Sequence, residues 1–556
     1  MSRLTNLGDL VRHDLDMSRL AVIDLGGEAP PRVYTHAELD SAACGVANSL
    51  VQRGYRCGDR IAILSANRFE YLAAYYGIMR AGFVAVPVNF KFPRDTIHFI
   101  LKDSGAKLVF SDANRLQDIP AGMPHVDFSC HDEGSARHHN PGFAGFIGSA
   151  TFKTVVPDPD APAMFLYTSG SSGTPKGVIL SHESHIWVAE TRLGKQDISR
   201  HRYLIAAPLY HMNALALSKL AAVGHATIVM LPQFDARRYI EAIGAQRCTM
   251  LTAVPPMLAM MLRETDLLEK TDISSVEIIR MGSAPVSQAL MAGIKRTFPQ
   301  AQVVNAYGTT EAGPVVFGPH PQGLAQPEMS VGCRHPLVEL RLSATDVDGG
   351  RLPAGETPST SKEPSTSKEP STSKEPSTSK ELSTSKESST SKRGVLEMKC
   401  PAVMSGYHNR PDLKRPVTPD GFYVTGDVFR RDEQGFYYFV GRSDDMFVSG
   451  GENIYPADVE RMLERHPAIA QAAVVPVDDD IKGTKPVAFV ILKPGQNPSE
   501  RPSENDIKQF ALANAPAYQH PRSVWFVDDL PLASTNKLDR AALKADAARR
   551  VEAQRA

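Results

Sequence analysis

Cysteine is scarce in this chain, and what there is lies scattered. Cys44, Cys57, Cys130, Cys248, Cys333 and Cys400 form no Cys-x-x-Cys pair and no Cys/His cluster. That argues against a zinc site or a disulfide framework and favours reduced, mostly structural thiols in a reducing compartment. The pair His138-His139 has no second ligand set beside it and reads as a solvated loop. Net charge is nearly absent too, at −1 over 556 residues. No field is left to draw nucleic acid or an anionic membrane. Long apolar runs are missing. The most apolar stretch, YLAAYYGIMRAGFVAVPVNF, is broken by Arg80 and Pro87 and does not suit stable membrane insertion. The first residues, MSRLTNLGDLVRHDLD, lack the apolar centre of a secretory signal. A cytoplasmic protein is the expectation.

What is present is an ordinary globular composition, 42% hydrophobic and 22% charged, long enough for more than one domain. Strand and helix patterns alternate. HAELDSAACGVANSLVQRG, FEYLAAYYGIMRAG and DTIHFILKDSG have helical spacing, and RIAILSA, FVAVPVN and KLVFSD are short apolar runs of strand character. AMFLYTSG, HRYLIAAP, ATIVMLP and VEIIRMG resume the rhythm after residue 160, each with loop and helix signals behind it. This predicts a large α/β body of parallel sheets covered by helices, with more than one sheet. After residue 443 the order is strand, the helix PADVERMLERHPAI, the strands QAAVVPV and PVAFVILKPG, then a last helix and strand. That is a small α+β unit.

One stretch carries chemistry on its face. In YTSGSSGTPKGVILSH, a strand runs directly into Thr168, Ser169, Gly170, Ser171, Ser172, Gly173 and Thr174, then Pro175, Lys176 and Gly177. Glycines allow close backbone approach, hydroxyls add donors and Lys176 adds a positive charge, so the segment reads as a phosphate cradle. The spacing is not that of the P-loop. The segment resembles the signature of the adenylate-forming, AMP-binding enzymes. These include acyl-CoA synthetases, the adenylation domains of peptide synthetases and firefly luciferase. Four further segments fall in that family's order: MGSAPVS (281–287), NAYGTTE (305–311), YVTGDV with GRSDDMFVSGGENIYP (423–428 and 441–456), and LPLASTNKLDR (530–540).

The resemblance implies a fold, a reaction and a set of roles. The fold is a large N-terminal α/β domain of layered sheets with a smaller β subdomain (1–442), followed by a small mobile α+β domain (443–556). The reaction joins a carboxylic acid to ATP, giving acyl-AMP and pyrophosphate, and then passes the acyl group to coenzyme A. Thr168, Ser169, Gly170, Ser171, Gly173, Thr174 and Lys176 hold phosphate. Ser283, Ala284, Pro285, Asn305, Ala306, Tyr307, Gly308 and Thr309 line the adenine side. Asp427 takes the ribose hydroxyls, Arg442 reaches ribose or phosphate, and Glu311 binds Mg²⁺. Lys537 enters during adenylation, Asp444 is the hinge, and Gly450 and Gly451 border the pantetheine channel. Thr168, Lys176, Glu311 and Lys537 are the catalytic set. Where relatives commonly have glycine before the lysine, this chain has Asn536, which also tolerates left-handed backbone.

APLYHMNALALSKL matches the family's acid-lining segment, which implies a pocket with His211, Met212, Asn213, Ala284, Gly308 and Gly313. His211 reads equally as a gate or as a packed histidine. The segment has no aspartate to hold an α-amine, so an apolar or aromatic acid is expected over an amino acid. Beside the CoA ligase reading stand a ligase that loads a carrier protein and a non-catalytic binder of nucleotide or acyl ligand; luciferase-type oxygenase chemistry also stays open. The partner is a small-molecule acid, and a homodimer stays open.

A STSKEP repeat occupies 358–392. It carries six lysines against five glutamates between Lys362 and Lys392, so it is no charged docking tail. A tract of Ser, Thr, Lys, Glu and Pro cannot form a core, and disorder is expected. RLPAGET before it and GVLEMKCPAVMSGYHNRP after it resemble two adjacent pieces of one family segment, so the repeat should split a surface turn between strands.

Overall fold

The computed structural model describes residues 4–26, 30–128, 142–169, 174–284, 286–343, 392–413, 415–449, 452–479, 483–494, 501–533 and 537–555. The repeat, Cys130 and the pair His138-His139 lie outside the described residues.

Among the described residues, two seven-stranded sheets form the body. The first runs Gln302–Ala306, Ile278–Gly282, Met250–Ala253, Arg202–Ile205, Thr227–Met230, Leu20–Asp24 and Arg32–Thr35, parallel except for its last pair. The second centres on the parallel strands Val84–Pro87, Arg60–Leu64 and Ala106–Ser111, all largely buried. The apolar runs read as buried strands therefore take that place.

The helices begin and end where local chemistry directs. Thr35 and Glu38 form a capping box at the start of His36–Gln52, with the Thr35 hydroxyl accepting from the Glu38 N–H at 3.2 Å. Gly105, at φ 64°, closes Arg94–Ser104 in the left-handed conformation. Phe69–Arg80 is buried along its whole length. Arg80, which breaks the apolar run in sequence, is itself 2% exposed and paired with Asp40 at 2.7 Å and Asp9 at 3.4 Å. The run is therefore core, and among the described residues no helix is long and apolar enough to cross a membrane.

AMFLYTSG departs from the predicted rhythm. Its strand, Pro162–Ser169, is followed by an antiparallel strand, Pro175–Ser181, and only then by the helix His182–Leu193. A six-stranded antiparallel sheet includes the hairpin Tyr423–Arg431 and Phe436–Arg442. In the same sheet Glu339–Ser343 pairs with Lys392–Lys399, Ser343 facing Val395. The repeat thus connects two adjacent paired strands, as the flanking sequence predicts.

The small C-terminal unit pairs Ile469–Asp479 with Gly483–Leu492 and adds Val524–Phe526 in parallel. A helix missing from the sequence reading, Arg540–Arg555, closes the chain. It is mostly alanine and charge, so its apolar stripe is thin; Leu543 and Ala547 supply the buried contacts against the sheet. The unit docks on the body through Arg461, which donates to the Phe439 and Val440 carbonyls at 3.0 and 3.1 Å, and through the Arg393–Asp458 pair at 3.2 Å.

Candidate active site

The phosphate segment is the tip of a hairpin. Thr168 faces Lys176 across the pair, and Tyr167 faces Gly177. A β-carbon at Gly177 would lie 2.9 Å from the Tyr167 ring, so only glycine lets that ring cross the stem. The Tyr167 hydroxyl then donates to Asp103 at 2.6 Å and fixes the hairpin base. Thr174 is exposed at the tip. Gly170, Ser171 and Gly173 lie outside the described residues, as does the Ser169 side chain.

Lys176 reaches over the Tyr407 ring, 5.9 Å from its centroid, and the Tyr407 hydroxyl donates to Glu311 at 3.4 Å. Glu311 sits in a turn closed by Thr309 and Gly313, whose backbones exchange hydrogen bonds at 3.3 and 2.9 Å. Gly313 has φ 71°, and a β-carbon at Gly308 would meet Pro314 Cα at 2.7 Å. The two glycines allow the chain to fold this tightly, and the turn holds the Glu311 carboxylate partly open to solvent.

The adenine-side segments come from adjacent parallel strands, with Met281 opposite Asn305 and Gly282 opposite Ala306. A β-carbon at Gly282 would meet the Ala306 carbonyl oxygen at 2.4 Å, so glycine is required there. Ser283 follows with φ 67° and Ala284 is partly accessible. Pro285 lies outside the described residues. These positions are at the carboxyl ends of the strands, where open α/β sheets bind ligands.

Tyr307 corrects the simple picture of a free aromatic face. Its hydroxyl donates to Asp427 at 2.5 Å across 120 residues, and its ring packs edge-on to Phe429 at 4.9 Å. Arg442 holds the other Asp427 oxygen at 3.1 Å and grips Asp444 at 2.8 and 3.1 Å. Burial raises the Asp427 pKa, with Arg442 and Tyr307 pulling against it. Burial works against the Arg442 charge, but Asp444 and Asp427 hold its pKa above the usual value. Tyr307, Asp427, Arg442 and Asp444 are therefore one connected network, which no local motif shows.

Lys537 stands in a turn closed by the Ala533 N–H donating to the Lys537 carbonyl at 2.7 Å and by a bridge between Leu532 and Leu538. Its side chain is open to solvent, yet protein surrounds the ammonium closely enough to desolvate it. Desolvation and Arg442 lower its pKa, while Asp427 and Glu311 oppose the shift. His211 feels the same lysine: burial, then Lys537 and Lys91, push its pKa down to about 3. The Nε2 of His211 is buried without a partner, and the residue precedes the helix Met212–Val223. Met212 is buried and Asn213 partly so. Lys537 of the C-terminal unit, the Glu311 turn, the Asp427 strand and the His211 loop are thus near enough to influence one another's charge. Asn536, Gly450 and Gly451 lie outside the described residues; on either side of the glycines Ser449 pairs with Glu452.

Two cations near the acid-lining segment escaped the sequence reading. Arg192 ends the helix His182–Leu193, and Arg280 lies on Ile278–Gly282. Neither belongs to a phosphate-type motif, and only the fold brings them together.

The family profile of the AMP-binding enzyme matches residues 15–357, and that of the AMP-binding enzyme C-terminal domain matches 458–537. The first match ends at the start of the repeat. A fatty acid–[acyl-carrier-protein] ligase of Streptomyces coeruleorubidus is 28% identical over 94% of this chain and 93% of its own length. A feruloyl-CoA synthase of Amycolatopsis sp is 29% identical over 91% and 92%. The crystal structure of ATP-bound MatB from Rhodopseudomonas palustris superposes with a TM-score of 0.79 at 25% identity, covering 98% of each chain. On the strength of the profile match, which takes in more than half of its length, the chain belongs to the AMP-binding enzyme family.

Proposed function

We propose that this enzyme couples a small-molecule carboxylic acid to ATP as acyl-AMP and then transfers the acyl group to the thiol of coenzyme A. The observation that carries this reading is the Tyr307–Asp427–Arg442 network beside the Glu311 turn, with Lys537 and His211 within electrostatic reach. A carboxylate attacking the α-phosphorus needs two anions brought together, so positioned cations matter more than a general base. Lys537 would sit beside the forming mixed anhydride, Thr168 and Lys176 beside the phosphates, and Tyr307 with Asp427 beside the nucleoside.

Glu311 fits a hard divalent cation. Its carboxylate has a single long hydroxyl contact, to Tyr407, and so keeps oxygen donors free. Mg²⁺ bound there would neutralise phosphate charge. Transfer to CoA would follow rotation of the small unit about Asp444, which withdraws Lys537 and presents Gly450 and Gly451. Domains 1–442 and 443–556, and a cytoplasmic setting, belong to this reading.

A relative named as a carrier-protein ligase keeps a second acceptor in view. AMP release driven by an acid, compared with free CoA and with a phosphopantetheinylated carrier protein, decides between them. Release with CoA supports the proposal; release with the carrier alone replaces it.

A further inference from the structure

Near the segments expected to line the acid pocket stand two arginines with no acidic partner among the described residues. Arg280 and Gly282 point to the same side of their strand. On the helix His182–Leu193, Val188 and Arg192 are one turn apart and share a face. Val188 packs against Gly313, with 3.2 Å from its Cγ2 to where a β-carbon would stand. Arg192 therefore lies beyond a residue of the acid pocket, on the face that lines it. Its guanidinium donates to the Ala216 carbonyl at 3.2 Å, which ties it to the helix Met212–Val223.

Among the described residues, the Arg280 side chain has no hydrogen bond or ion pair, and Arg192 has no ion pair. Both are partly accessible. Met250 stands opposite both Tyr203 and Ile278 in the parallel sheet, so Tyr203 and Arg280 share one face, and Arg192 feels the charge of both while no carboxylate takes part. Enclosure and the neighbouring Arg280 pull the Arg192 pKa down to about 9. Behind them, fully buried Lys219 donates to His185 Nδ1 at 3.1 Å, again with no acid nearby. Cations enclosed without partners are costly to keep, unless a ligand supplies the anion.

We propose that Arg192, Arg280 and Tyr203 form the distal end of the acid pocket and select a dicarboxylic acid, binding the carboxylate that does not react. This rests on the acid-activating reading given above. Paired guanidinium groups and a phenol hydroxyl match a carboxylate's planar acceptors. A plain alkyl tail would desolvate both arginines without pairing them, and an amino acid's ammonium would be repelled. The expectation of an apolar pocket holds for Met212, Ala284 and Gly313 but not for its far wall.

The test is ATP–pyrophosphate exchange by the full-length enzyme, driven by matched pairs: aliphatic and aromatic dicarboxylic acids, each against its monomethyl ester. One diacid should exceed its own ester by about 100-fold or more in kcat/KM. Arg280→Met and Arg192→Met should each cut that preference to about 5-fold or less, through KM for the diacid. Arg280→Lys should keep part of the preference. The Arg280→Met protein should melt no lower than the parent, because its guanidinium has no protein partner to lose. Monoacids or esters turned over as well as diacids would overturn the selection and leave acid activation standing. Exchange with no acid of either kind would overturn both. If either methionine variant fails to fold, the unsubstituted enzyme's diacid-to-ester ratio decides alone.

Discussion

Lys537 is the residue on which the chemistry turns. Protein around it desolvates the ammonium, and Asp427 and Glu311 pull the other way. A lysine balanced between opposing influences and held by no side-chain partner among the described residues suits a group that must enter and leave. Lys537→Ala should lower acyl-AMP formation by about 100-fold or more, in line with the loss of one positioned electrostatic donor. It should leave conversion of supplied acyl-AMP and CoA to thioester near the parent rate. Single-turnover measurement of each half-reaction checks this, and equal loss of both would contradict the role. Lys537, Glu311 and Asp427 were singled out because the short segments that hold them resemble the family's, and the fold brings their charges within reach of one another. The hydrogen bond from Tyr307 to Asp427 was not legible in sequence, because 120 residues separate its ends. Arg192 and Arg280 were hidden for the same reason: a helix end and a strand carry no sign that they will stand near one another.

Hairpins do most of the positioning at the next scale. One aims the phosphate segment, another carries Asp427 and Arg442, and a third is split by the repeat. The strands beside the repeat keep their register, Glu339 to Lys399 through Ser343 to Val395. Lengthening such a connection from about 6 to about 40 residues costs only about 1.7 kcal/mol of closure entropy. Excising 358–392 should therefore leave both half-reactions within about twofold and raise the melting temperature slightly. Loss of either half-reaction in the shortened enzyme would show that the tract contributes to catalysis. The strand and helix rhythm of the body was legible because buried parallel strands are continuous apolar runs. The closing helix Arg540–Arg555 was not, because only Leu543 and Ala547 mark its buried face in a sequence of alanine and charge.

The whole molecule buries neutral histidines. Burial lowers His36 and His182 to about 4 and His211 to about 3, and carries His185 well below its usual value. His182 accepts from the Leu7 N–H at 3.0 Å, which requires an unprotonated nitrogen. Between about pH 4 and 6.5 the unfolded chain binds these protons and the folded one does not, so stability rises with pH across that window. Glu464, raised to about 8 by burial, acts in the opposite sense, as do Asp427 and Asp445, but they are outnumbered because burial also lowers His201, His335 and His466. The melting temperature should fall by about 5 °C or more from pH 7 to pH 5, and a flat or rising profile would contradict this burial. Across the two domains, the claim on which everything else depends is that the site holding Lys537, Glu311, Asp427 and His211 adenylates a carboxylic acid. Acid-dependent exchange of labelled pyrophosphate into ATP measures that step directly. The account predicts exchange that requires both the acid and Mg²⁺ and falls with Lys537→Ala; an enzyme that binds ATP yet shows no exchange with any mono- or dicarboxylic acid would contradict it.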